Sequence, residues 1–339
     1  MTIRIYVTID QKLQALGWSP FFANAKSSES PVGRIGLEHK KSYQVVVPEE
    51  VLNAVLAGRL RHQAKSKADL PAVGDWVEYE KKSQDTVRIT HILPRKSKLS
   101  RKTKGHRIEE QVLATNIDTV FLVSGLDQEF NLRRIERYLA LAVDSRADPV
   151  ILLNKSDLHA EPEEIMQQVK KTIPDFPVFC LSAKTETGFE QLTPYLKFGN
   201  TIALIGSSGV GKSLILNVLA GKRVQKVGEV HKPTGEGRHT TTHRQLFSLP
   251  GGCMAIDTPG MREIQIWLDE PSVKDAFPDI VDLAQYCKFR NCTHEHEPGC
   301  AVYLAVQEGK LDKSRVNSYI KLLNEQKEIE KKQRYRKEH

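Results

Sequence analysis

Gly206-Ser-Ser-Gly-Val-Gly-Lys-Ser213 fits the pattern G-x-x-x-x-G-K-[ST], and its flanks decide how it is read. The apolar run Thr201-Ile-Ala-Leu-Ile205 feeds it as a strand, and Leu214-Ile-Leu-Asn-Val-Leu219 leaves it as a helix. A glycine-rich turn between strand and helix can aim the backbone N–H groups of Gly206, Ser207, Ser208, Gly209, Val210 and Gly211 at a polyphosphate. Lys212 then reaches the outer phosphates, and the Ser213 hydroxyl can hold Mg²⁺. The stretch predicts a nucleoside triphosphate site.

Around it, strands and helices alternate. Asp118-Thr-Val-Phe-Leu-Val123 reads as a buried strand, and Asn131 as the cap of a helix with apolar residues at Leu132, Ile135, Leu139 and Ala142. Pro149-Val-Ile-Leu-Leu153 and Pro177-Val-Phe-Cys-Leu181 are further strands, with helices expected over 163–171 and 189–196. Residues 245–249 and 253–256 complete a doubly wound α/β domain of about six strands.

Four short elements specify guanine and Mg²⁺. Asn154-Lys-Ser-Asp157 has the form N-K-x-D directly after a strand. Asp157 can accept from both N1–H and the 2-amino group of guanine, a donor pair that adenine lacks, so an ATP complex leaves that carboxylate mispaired. Asn154 buttresses the loop, and the Lys155 stem packs over the base. Ser182-Ala-Lys184, after the next strand, offers the backbone N–H groups of Ser182, Ala183 and Lys184 to the guanine O6. Asp257-Thr-Pro-Gly260 fits D-x-x-G, with Asp257 toward the Mg²⁺ hydration shell and the Gly260 N–H toward the γ-phosphate. Between these lies Gly235-Glu-Gly-Arg-His-Thr-Thr-Thr-His243, a polar stretch in which Thr241 is the expected Mg²⁺ ligand among three threonines. The guanine elements precede the phosphate loop, the reverse of an ordinary GTPase, so the domain is circularly permuted.

Upstream, residues 32–94 carry short strand-like runs, including Tyr43-Gln-Val-Val-Val47, Asp75-Trp-Val-Glu-Tyr79 and Thr86-Val-Arg-Ile-Thr-His-Ile92, which suggest a small β-barrel of a kind that commonly binds RNA. Residues 51–60 fit either a short helix or a strand. Arg95-Lys-Ser-Lys-Leu-Ser-Arg-Lys-Thr-Lys-Gly-His-Arg107 holds seven Lys/Arg in thirteen residues and suits phosphate contact. Residues 1–31 read as an N-terminal extension ending in a Ser-rich linker.

Cys287-x4-Cys292-x-His294-x5-Cys300 supplies three thiols and an imidazole, the donor set of a closed, structural tetrahedral zinc site. His296 competes with His294 on residue type. Cys180 and Cys253 stand alone in apolar strands, so no disulfide framework is implied. From Leu311 onward a helix loses its apolar face and ends in Lys331-Lys-Gln-Arg-Tyr-Arg-Lys337, an RNA-contacting tail or a solvated helix end.

The permuted order, the phrase Arg238-His-Thr-Thr-Thr242, the segment Glu109-Glu-Gln-Val-Leu113 with Asn116-Ile-Asp-Thr-Val120, and the Cys/His cluster together resemble the ribosome small-subunit-dependent GTPase family, RsgA or YjeQ, from about residue 32 onward. The resemblance implies an OB-fold over 32–98, a permuted GTPase domain over 99–268, and a mainly helical zinc domain over 269–339, acting with GTP on the small ribosomal subunit and its rRNA. It also favours His294 over His296. Met261 stands where a Ras-type enzyme has the Gln that orients the attacking water, so hydrolysis should be slow alone. His239 is the candidate to take that role, and the resemblance points to it too. Two other readings stay open on sequence: an RNA-binding module with a nearly inert nucleotide site, and a permuted GTPase of the large subunit.

Composition fits this outline. The 339 residues carry a net charge of +8, with 40% hydrophobic and 27% charged residues, enough for several cores and suited to a polyanionic partner. Residues 1–13 lack a secretory pattern and no apolar run reaches membrane length, so a soluble, cytoplasmic monomer is expected.

Overall fold

The computed structural model describes residues 9–26, 28–39, 42–83, 85–102, 109–128, 130–224, 244–258 and 270–338. Two short helices, α1 (Ile9–Ala15) and α2 (Pro20–Ala25), come first. They are no loose extension. Phe22 of α2 is fully buried and, with Trp18, packs against Trp76 of the barrel, the Trp18 and Trp76 rings meeting edge to face at 4.8 Å. Burying one such aromatic contributes about 2–3 kcal/mol, enough to pin a short helix that could not persist alone.

The barrel has five strands, β1 (Val32–Glu38), β2 (Tyr43–Val46), β3 (Val51–Leu56), β4 (Trp76–Lys81) and β5 (Thr86–Ile92), with α3 (Gly58–Gln63) between β3 and β4. The ambiguous stretch 51–60 is thus both strand and helix. β1, β2 and β3 form an antiparallel meander, β3 runs parallel to β5, and β4 returns to β1 through Val32↔Glu78 and Arg34↔Trp76. That ring, 1-2-3-5-4-1, leaves no open edge. Alternation drives it: Tyr43, Val45, Val87 and Ile89 are buried inward while Arg88 faces solvent.

A two-stranded ribbon follows, β6 (Lys98–Lys102) with β7 (Glu110–Thr115). Here the first half of the cationic run turns inward rather than toward a ligand. Arg95 donates to both Asp75 oxygens at 2.8 and 2.7 Å and to the carbonyls of Ala68 and Leu70, and Lys96 pairs with Asp118 at 2.5 Å. Residues 103–108 lie outside the described set.

The central sheet contains β8 (Thr119–Gly125), β9 (Asp148–Asn154), β10 (Val178–Cys180), β11 (Thr201–Gly206), β12 (Gln245–Ser248) and β13 (Met254–Asp257), in the order β10-β9-β8-β11-β13-β12. All pairings are parallel except β12 with β13. Both faces are covered, as the near-continuous apolar runs require. Val120, Leu122, Ile151, Leu153, Ala203 and Ile205 face α4 (Leu132–Asp144) and α5 (Pro162–Thr172). Phe121, Val123, Val150, Leu152, Ile202 and Leu204 face α6 (Lys212–Ala220). Asn131 caps α4, its Oδ1 accepting from the Arg134 N–H. The helix expected at 189–196 is a 3₁₀ helix over Phe189–Tyr195 that contains Pro194.

The C-terminal part, α7 (Glu270–Asp275), α8 (Pro278–Ala284), α9 (Ala301–Gln307) and α10 (Lys313–Glu338), packs Val273, Phe277, Ile280, Val302, Val316, Tyr319 and Leu322 into the core on the α4 side of the sheet. The barrel joins the same sheet at the far edge, where Leu37 of β1 pairs with Gln245 of β12. Among the described residues, no helix is long and apolar enough to cross a membrane.

Candidate functional site

Strands β8, β9, β11 and β13 end on one side of the sheet, at Gly125, Asn154, Gly206 and Asp257. Loops at the carboxyl ends of parallel strands are where such sheets bind ligands. The turn after β11 needs its glycines. Gly209 and Gly211 have φ of +82° and +99°, and a Cβ on Gly211 would lie 2.2 Å from Asn154 Nδ2. The loop can close against the β9 loop only with hydrogen at that position.

Asn154 is what joins the two loops. It is 2% exposed; its Nδ2 donates to the Val210 carbonyl at 2.7 Å, and its Oδ1 accepts from the Ala183 N–H at 3.0 Å. One buried amide therefore holds together the phosphate-type loop, the N-K-x-D loop and the Ser182-Ala-Lys184 loop. Ser182 Oγ donates to Asp157 Oδ1 at 2.5 Å, which fixes that carboxylate, and Lys184 Nζ stands 4.0 Å from its other oxygen. Lys155 has a left-handed backbone, φ +64°, and its ammonium pairs with Asp127 at 2.5 Å while its stem lies beside Gly125.

On the phosphate side, Lys212 is 7% exposed, and its ammonium donates to the carbonyls of Gly206 and Ser207 at 2.9 and 2.8 Å. Burial pushes its pKa down to about 8, with the nearby Asp257 pulling it back up. Asp257 is buried at the end of β13, and Thr258 Oγ1 donates to the Leu204 carbonyl at 2.6 Å, anchoring the start of the D-x-x-G turn to β11. Ser213 sits half-buried in the first turn of α6. Ser207 Oγ is 3.2 Å from both Arg134 Nη1 and Tyr138 Oη of α4. His239, Thr241, Gly260 and Met261 lie outside the described residues.

Sequence reasoning missed Asp127, Thr258, Arg134 and Tyr138. The first two sit next to motif residues; the last two form an i,i+4 pair on a helix that no local pattern connects to the loop.

The second cluster lies between α8 and α9. Cys287, Cys292, His294 and Cys300 bring one ligand atom each to within 4.8 Å of the others. The Cys287 and Cys300 sulfurs are 3.8 Å apart, and each is 3.6 Å from His294 Nδ1. A regular tetrahedron with ~2.3 Å metal–sulfur bonds has edges of about 3.8 Å. His294 takes φ +65° to turn its ring inward, while His296 packs on Tyr303 instead. Cys300 also caps α9, its Sγ accepting from the Tyr303 N–H at 3.3 Å. These four residues could hold one metal ion.

The RsgA GTPase family model matches residues 92–267. A Small ribosomal subunit biogenesis GTPase RsgA from Opitutus terrae is 46% identical over 93% of this chain and 89% of its own. Its counterpart from Methanosarcina acetivorans is 45% identical over 86% and 79%. Among solved structures, YjeQ from Thermotoga maritima superposes with a TM-score of 0.66 at 29% identity, covering 87% of this chain and 98% of that one. YloQ, a circularly permuted GTPase, gives 0.61 at 25% identity over 90% and 99%. Coverage of 93% exceeds residues 32–339, which are 308 of the 339, so the likeness extends into the first 31 residues that the sequence reading sets outside the family pattern. With its permuted strand order and its barrel and helical flanks, this chain belongs to the RsgA GTPase family.

Proposed function

We propose that this protein hydrolyses GTP to GDP and phosphate and uses the reaction to time its release from the maturing small ribosomal subunit, whose rRNA it binds. The observation that carries the reading is Asn154, which draws a phosphate loop and two guanine-type loops into one pocket through paired hydrogen bonds. In that pocket Asp157 reads N1 and N2 of guanine, the Lys155 stem supports the ring, and the N–H groups of Ser182, Ala183 and Lys184 face O6. The residues from Gly206 to Ser213 cradle the phosphates, and Lys212 exchanges its carbonyl partners for phosphate oxygens as its ammonium binds. Ser213, Thr241 and Asp257 are the residues that would hold Mg²⁺, which when bound neutralises charge on the β- and γ-phosphates. Gly260 offers its N–H to the γ-phosphate, and His239 orients the attacking water, a task the thioether of Met261 cannot perform.

The four-residue cluster is read as a structural zinc site. Three thiolates and one imidazole at tetrahedral spacing leave no open position for a substrate. Zinc there would fix the loop between α8 and α9 and with it the helical unit over 269–339, as the barrel over 32–98 and the GTPase domain over 99–268 are fixed by their own cores. A cytoplasmic monomer that meets its partner on the ribosome is the form this reading expects.

Steady-state hydrolysis of GTP by the protein alone, with small subunits and with large subunits, and of ATP as control, tests the proposal. Strong stimulation of GTP turnover by small subunits only is the expected result. Equal slow turnover in all three refutes it.

A further inference from the structure

We propose that Arg134 and Tyr138 of α4 are positioning residues of the nucleotide site, acting on the phosphate loop through the hydroxyl of Ser207; the inference rests on the nucleotide reading of that loop. Ser207 is 6% exposed, and its hydroxyl faces α4. There it meets the Arg134 guanidinium and the Tyr138 phenol, each 3.2 Å from Oγ. The same residue's carbonyl accepts from Lys212 at 2.8 Å. In the free protein Ser207 thus links the helix to the loop's only lysine, and its hydroxyl holds the loop backbone to α4 when the ammonium turns to phosphate.

α4 is a suitable fixed point because its other side is clamped. Arg133 bonds Glu136 at 2.6 Å and Asp312 at 2.9 Å; Arg315, 2% exposed, bonds Glu136 at 3.2 Å and Asp279 at 2.7 Å; Arg137 pairs with Glu325 at 2.5 Å. Little more than one turn of α4, residues 133–137, is thereby tied to α10 and the residue before it and, through Arg315, to α8. Glycine-rich loops have little intrinsic rigidity, since Gly209 and Gly211 give up the restraint a side chain would supply. A hydroxyl anchored from behind restores part of it and lowers the ordering cost of binding a phosphate chain.

The test is a double-mutant cycle read by GDP affinity and by KM and kcat for GTP. Tyr138→Phe and Arg134→Gln are each expected to weaken GDP about fivefold, the loss of one hydrogen bond, and Ser207→Ala, which loses both, by more; all three should raise KM more than they lower kcat. Combined with Ser207→Ala, neither helix variant should weaken binding further. Undiminished losses on the Ser207→Ala background mean that α4 matters only to the fold, and overturn the inference; so does unchanged GDP affinity in all three single variants. A wild-type protein that does not bind GDP overturns the nucleotide reading itself, and that result is in hand before any variant is compared.

Discussion

Asn154→Asp is the substitution that most sharply tests how the pocket is built. The two side chains have the same shape, so packing is preserved and only hydrogen-bond polarity changes. The carboxylate can still accept from the Ala183 N–H, but its second oxygen now faces the Val210 carbonyl across the 2.7 Å at which Nδ2 donates. One hydrogen bond, about 1 kcal/mol, is lost, and a buried carbonyl left without its donor costs about 1–3 kcal/mol more. The sum, about 2–4 kcal/mol, predicts a loss of GDP affinity of roughly 30-fold or more, provided that the free protein relaxes by parting the loops and binding must close them again. Asn154→Ala removes the Val210 bond and the Ala183 bond together, leaves both partners unpaired, and should lose at least as much. Burial also favours the neutral acid, whose O–H can donate to Val210, so affinity of the Asp variant should partly recover as pH falls. Fluorescent-GDP titration at pH 8 and pH 6 reads all three outcomes. An Asp variant within twofold of wild type at pH 8, or weaker at pH 6 than at pH 8, refutes the bridge.

Three further expectations follow from named contacts. Arg34 is fully buried and donates to the carbonyls of Gly74, Leu16 and Asn116 and to Thr201 Oγ1, with burial pushing its pKa down to about 10; Arg34→Met should cost about 3–5 kcal/mol and lower the melting temperature by about 5 °C or more, and a change under about 1 °C would show that this joint is not structural. Metal analysis should find one zinc per chain, lost in His294→Ala and Cys292→Ser and kept in His296→Ala; zinc retained without His294 would break the assignment. Lys212 has a folded pKa of about 8 against an ordinary 10.5, so between those values the unfolded chain holds a proton that the folded one has released, and this group's contribution to stability rises with pH in that window. A bound phosphate favours the ammonium, so GDP affinity should move the other way, falling about fourfold from pH 7 to pH 8.5, and a flat profile there would place the titration elsewhere.

What the sequence made legible was whatever is written locally. The phosphate loop, N-K-x-D and D-x-x-G are each fixed by a few adjacent residues, and the six strands follow from apolar runs such as Thr201-Ile-Ala-Leu-Ile205, which a sheet covered on both faces requires. The Cys/His spacing is likewise local, and of the two histidines that residue type left open the structure brings His294 beside the three cysteines. Contacts that join distant segments left no such trace. Residues 1–31 read as an extension ending in a linker because their helices are too short to declare themselves, yet Phe22 packs against Trp76 of the closed barrel. The cationic run suggested phosphate, whereas Arg95 and Lys96 are consumed by Asp75 and Asp118, carboxylates twenty and twenty-two residues away. Charge density is readable from sequence; the partner of each charge is not.

Permutation has a consequence that neither the motifs nor the sheet states alone. The strand β12, which begins just after the polar stretch 235–243, lies at the edge of the central sheet, and there β1 of the barrel pairs with it through Leu37 and Gln245, reinforced by Glu38 and Arg244 at 3.6 Å. On the other side, α4 touches the phosphate loop through Ser207 and the C-terminal helices through Glu136 and Arg137. The two flanking units therefore attach to opposite sides of the phosphate site, one beside β13 and one behind the loop after β11. In an unpermuted order β11 would come first and β10 last, so the leading unit would enter at the phosphate-loop strand and the trailing one would leave from the base-binding edge at β10. With the break placed here, both units contact the phosphate half of the site, one through β12 and one through α4, while the guanine half is held by Asn154, Asp157 and Ser182.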